Sequence, residues 1–94
     1  MRRYMIERDI PGAGNLSANA LQSASQTSCT ALHELGPDIQ WVQSHVTEDR
    51  IYCVYLAESE GIVVEHARRA GLPATKVSEV RQVIDPMTAA GVLR

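Results

Sequence analysis

The strongest pattern in the chain is the apolar run IYCVYLA over residues 51–57. β-Branched and aromatic side chains fit a pleated surface. The run is apolar at both parities, so it predicts a central strand covered on both faces. Residues 3–9 (RYMIERD) alternate in part and read as a shorter strand, ended by the breakers Ile10-Pro11-Gly12-Ala13-Gly14-Asn15. Across 16–35, Leu21, Ala24, Ser28, Leu32 and Leu35 recur at three-and-four spacing, which is one face of an amphipathic helix. Asn15 or Ser17 can cap its start, and Gly36-Pro37 stops it. The segment is rich in Ser and Thr, so packing rather than propensity must hold it.

Residues 38–47 (DIQWVQSHVT) alternate as a strand, and Glu48-Asp49-Arg50 reads as a polar hairpin turn. A second helix runs from its cap Ser59 through Ala70, with Gly71 and Pro73 as stop signals. Ile62, Val63, Ala67 and Ala70 make its apolar stripe, and His66 lies inside that stripe. Glu65 and Arg69 form an i,i+4 pair on the wet side. Residues 77–85 (VSEVRQVID) read as a last strand closed by Pro86, ahead of a small-residue tail over 87–94. The order is β-α-β-β-α-β. With right-handed crossovers it specifies an α+β, ferredoxin-like βαββαβ sandwich: an antiparallel sheet with two helices on one face. The first and third strands are then central neighbours. The far sheet face is left to a second subunit, as in a homodimer, or to the tail.

Bulk properties narrow the function classes. A chain of 94 residues is expected to form one domain, 1–94, with a modest core. A net charge of −2 argues against a non-specific nucleic-acid binder. No apolar run approaches the length of a membrane span, and MRRYMIERDIPG lacks the apolar core of a signal peptide, so a cytoplasmic location is expected. Cys29 and Cys53 fall outside any CxxC pattern and are expected as free thiols. With no Phe, the core must rest on Val, Ile, Leu and Ala.

The stretches SHVTEDRIYCVYLAESEGIVVEHARRAGLP and VSEVRQVIDPMTA, with the opening RYMIERDIPG, carry a resemblance. In combination they resemble a family of small bacterial domains of otherwise unknown function, whose better-known members are described as nickel-binding or nickel-responsive. The likeness spans nearly all the chain except the middle of the first helix and the extreme C-terminus. It implies a ferredoxin-like fold, a homodimer and a bound divalent metal, Ni²⁺ first, with Zn²⁺ or another divalent transition metal as alternatives. His45 stands where that pattern more usually carries an aromatic residue.

Strand alternation puts Ile51, Cys53 and Tyr55 on one face of the central strand, opposite Tyr52, Val54 and Leu56. On the first strand, Met5 and Glu7 share a face opposite Tyr4, Ile6 and Arg8. Glu7 is thus expected beside Cys53 and Tyr55 across the strand pair, and if that face looks toward the helices, His66 points at the same spot; parity alone leaves open which face that is. Imidazole and thiolate suit Ni, Zn or Cu, and a carboxylate widens the choice. The metal candidates are therefore His66, Cys53, Glu7 and His45. The competing reading keeps Cys53 and His66 as core residues, since Cys packs like a small hydrophobe. A third reading, a small enzyme or organic-ligand module, uses Glu7, Tyr55 and His66 as the lining of a pocket between sheet and helices. Weaker clusters are His45 with Glu48 and Asp49 at the hairpin, and Cys29 with His33 at i,i+4, where a half-buried cysteine is the preferred reading. The Pro11–Asn15 loop lacks a full phosphate-binding pattern. No catalytic Ser/His/Asp order is legible.

Overall fold

The computed structural model describes residues 1–92. Strands β1 (Arg2–Asp9), β2 (Ile39–Val46), β3 (Arg50–Ala57) and β4 (Lys76–Glu79) alternate with helices α1 (Ala18–Leu35) and α2 (Glu60–Ala70) in the order β1-α1-β2-β3-α2-β4. The sheet is antiparallel, in the order β2-β3-β1-β4. This is the ferredoxin-like sandwich, with β1 and β3 as central neighbours.

The helix ends follow from the sequence. Ser17 accepts a bond from the Ala20 N–H and Ser59 from the Ile62 N–H, so each helix starts on a side-chain cap. Gly71 ends α2 at φ 69°, a left-handed exit that glycine adopts without a steric penalty. The buried face of α1 is narrower than its spacing suggests: Ser28 and Ala31 are buried, whereas Ala24 is exposed.

The core lies between the sheet and the helices and consists of Tyr4, Ile6, Ile39, Cys53, Tyr55, Ala57 and Val63, with Leu32, Leu35 and Trp41 packed against it. Two tyrosines thus fill much of the space that Phe would take.

The last strand is shorter than expected. In place of 77–85, β4 covers Lys76–Glu79. One further bond, from the Val80 N–H to the Arg3 carbonyl, is made at 2.8 Å. β1 begins at Arg2, so the edge that β4 follows ends there. The Pro86–Ala90 segment forms a 3-10 turn capped by Asp85.

The Pro11–Asn15 loop docks on the β2–β3 hairpin. The Gly14 N–H bonds to the Glu48 carbonyl at 2.9 Å, and the Gly12 N–H to Asp49 Oδ1 at 2.9 Å. These amides and the Asp49 carboxylate are therefore engaged in structure, not offered to a ligand. A Cβ on Gly14 would sit 3.0 Å from Glu48 Cα and 3.1 Å from the Thr47 carbonyl oxygen, both rigid backbone. Gly14→Ala is expected to lose about 1–3 kcal/mol, as overpacking does. Thermal melting checks this, at roughly 4–8 °C per kcal/mol for a domain of this size.

Candidate functional site

Register decides which predicted residues meet. β1 pairs with β3 so that Ile6 opposes Cys53, Tyr4 opposes Tyr55, and Glu7 opposes Tyr52. Directly opposed residues share a face. Tyr4, Ile6 and Arg8 therefore look toward the helices with Cys53 and Tyr55, and Glu7 looks the other way. The expected meeting of Glu7 with Cys53 and Tyr55 does not occur. Glu7 lies on the outer sheet face, 3.6 Å from Arg50 Nη1.

His45 also lies outside, for a different reason. A bulge between Trp41 and Gln43 breaks the β2 alternation. Trp41 opposes Tyr55, yet after the bulge Ser44 opposes Cys53 and His45 opposes Tyr52. Trp41 Nε1–H donates to Ser44 Oγ at 2.9 Å across the bulge. Its effect is to send His45 to the outer face, where the Gln43 amide nitrogen lies 3.1 Å from His45 Nε2. His45, Tyr52, Glu7 and Lys76 then stand in one row across the four strands. Cys29 is exposed rather than half-buried, and His33 beside it is exposed as well.

The inner cluster contains a residue that the motif reading passed over. Arg8 is 1% exposed. Its Nε–H donates to Cys53 Sγ at 3.3 Å, Nη1 to the Pro73 carbonyl at 2.7 Å and Nη2 to Tyr55 Oη at 3.3 Å. Among the described residues it makes no ion pair. A signal was present: Arg8 continues the parity of Tyr4 and Ile6 on a strand predicted to be central.

His66 is fully buried on α2 beside this group, its ring centroid 5.1 Å from that of Tyr55. A carbonyl only accepts, so the 3.3 Å contact of His66 Nε2 with the Ser28 carbonyl makes Nε2 the protonated nitrogen. Nδ1 is buried with no partner among the described residues. Burial pushes the His66 pKa down, the Ser28 bond opposes this, and the Arg8 charge adds to the depression. The Tyr55 hydroxyl is pushed up to about 12, chiefly by burial, against the pull of Arg8. Both rings are therefore neutral at pH 7.

This inner group does not fit a divalent cation. A guanidinium stands within hydrogen-bond reach of the one sulfur, no carboxylate joins it, and one imidazole nitrogen is held by a carbonyl. Among the described residues no three His, Cys, Asp or Glu side chains converge as a ligand set. The inner face is instead a polar cluster around a buried cation, beside a cavity of about 80 Å³ between sheet and α1.

Fold and site together define a small ferredoxin-like domain with a buried cationic cluster between sheet and helices and a row of polar side chains on its outer sheet face. The chain belongs to the family described as nickel responsive protein, SCO4226-like, whose model matches residues 4–80. The crystal structure of SCO4226 from Streptomyces coelicolor A3(2) is similar at a TM-score of 0.74 and 20% identity, covering 87% of this chain and 99% of that one. That likeness supports the fold. No curated protein matches. Among the described residues no helix is long and apolar enough to cross a membrane.

Proposed function

We propose that this protein is a cytoplasmic homodimer that binds a divalent transition metal, nickel first, for sequestration, storage or sensing. The metal in this reading sits on the outer sheet face. Family membership supports the link to nickel. The observation that carries the location is the row His45–Tyr52–Glu7. His45 and Glu7 are two strands apart, so their backbones are about 10 Å from each other at the usual strand spacing. One copy offers one imidazole and one carboxylate, too few ligands for a closed metal site. A second copy packed on the same face by a two-fold axis supplies a second imidazole and a second carboxylate. Imidazole and carboxylate together suit nickel and zinc better than magnesium. The same packing would cover Met5, which is exposed, and Tyr52 and Leu56, which are half-buried.

The test is calorimetric titration of chelator-stripped protein with Ni²⁺, against Zn²⁺ and Mg²⁺, with mass followed by light scattering. Whole-number binding selective over Mg²⁺ is expected from a dimer. His45→Ala and Glu7→Gln should each weaken it by about tenfold or more, the scale of losing a supporting group at a metal site. Cys53→Ser should leave it unchanged. Loss with Cys53→Ser and none with the outer pair would put the metal inside. No binding by the unsubstituted protein would refute the reading.

A further inference from the structure

Among the described residues, the buried Arg8 is a cation without an anion. A guanidinium carries five N–H donors, and three bonds account for three of them. None of the three partners is a carboxylate. The nearest acids along the strand face the other way: Glu7 lies on the outer face, 3.6 Å from Arg50 Nη1, and Asp9 pairs with Arg50 Nε at 2.8 Å. Burying an unpaired charge is costly, and proteins normally bury one only with a counter-charge or for a use.

Arg8 forms part of the wall of the cavity between sheet and α1. The remaining wall is largely apolar, with Ile10, Leu21, Trp41, Ile51 and Leu72, and includes Ser25 and Ser28. The cavity volume, about 80 Å³, holds several water-sized groups, at roughly 10–15 Å³ each. That is room for one carboxylate and a short hydrocarbon tail. A single planar carboxylate matches the fork of an arginine, and apolar walls with a few placed polar groups are the usual lining of a ligand pocket.

We propose that this cavity binds a small organic monocarboxylate. Its carboxylate engages Arg8 and supplies the missing counter-charge, and its short tail lies against Leu21 and Trp41. The site is on the opposite sheet face from His45 and Glu7, so it stands or fails independently of the metal reading.

The test uses the full chain and a homologous set: acetate, butyrate, hexanoate and benzoate. Inorganic phosphate and 1-butanol at matched ionic strength are the controls. Melting temperature and Trp41 fluorescence are the readouts, since Trp41 is the only tryptophan and lines the cavity. A saturable rise in melting temperature with a fluorescence change is expected for butyrate or hexanoate, and neither for 1-butanol. Arg8→Lys keeps the charge but loses the fork, and should weaken binding by tenfold or more. Ala24→Trp, on the exposed rim of α1, leaves Arg8 in place and should block the longer tails first. Phosphate binding as tightly as any carboxylate would overturn the proposal in favour of a general anion site. So would equal affinity in the unsubstituted protein and both variants, or no saturable response to any of the acids.

Discussion

Ile6→Ala is expected to lower the folding stability by about 2–5 kcal/mol, the range for truncating a fully buried aliphatic side chain. Ile6 is 0% exposed and sits on a central strand, opposite Cys53 on one side and Val77 on the other. On the β3 side its neighbours cannot readily close the gap, because β3 is held as well by its ladder to β2. A small domain has roughly 5–15 kcal/mol in all, so this one change would remove a large share. Urea unfolding provides the measurement: the midpoint should fall with the slope unchanged. A loss under about 1 kcal/mol would show that the core between sheet and helices collapses readily around the gap. The effect reaches the inner cluster, since Arg8 is the next inward residue on β1 and depends on the same strand for its position.

The architecture was legible because each element carried its own signal. Ser17 and Ser59 cap the helices, Gly71 ends one, and IYCVYLA is central. The site was legible in part, and the failures have one physical source. Alternation within a strand can be read from sequence, but the phase between two strands cannot. Glu7 and Cys53 fall on opposite faces because the ladder pairs even-numbered residues of β1 with odd-numbered residues of β3. A slip of one residue would reverse that. His45 fails for a related reason: Trp41 and His45 share a parity, and only the bulge between them separates their faces. Nothing in IQWVQSHV marks a bulge. Arg8 was in plain phase with Tyr4 and Ile6, and a charge at an inward position of a central strand was the signal to follow.

Acidification is expected to unfold this protein earlier than its carboxylates alone would. His66 folds as the neutral Nε2–H tautomer, donating to the Ser28 carbonyl, with Nδ1 buried and unpartnered. Protonating Nδ1 would create a buried cation beside Arg8 and against the Tyr55 ring, itself held protonated. The pKa of His66 is therefore depressed in the fold, by burial first and by Arg8 in addition. In the unfolded chain it returns to about 6.5. Below that value the unfolded state binds a proton that the native state refuses, so stability falls as the pH drops. Above it the two states bind alike and the contribution is complete. The loss should start near the unfolded value and continue downward to the folded one. Glu65 titrates elsewhere: Arg68, then Arg69, hold its carboxyl at about 2, so its contribution is lost only at lower pH. His66→Gln retains an amide donor for the Ser28 carbonyl and cannot titrate. Melting temperatures of the two proteins from pH 7.5 down to 5 should diverge, the original falling and the variant staying nearly level. Even about 1 kcal/mol would separate them by roughly 4–8 °C. Equal slopes would mean that protonated His66 finds an anion in the fold, and the inner cluster would then have to contain the counter-charge that Arg8 lacks.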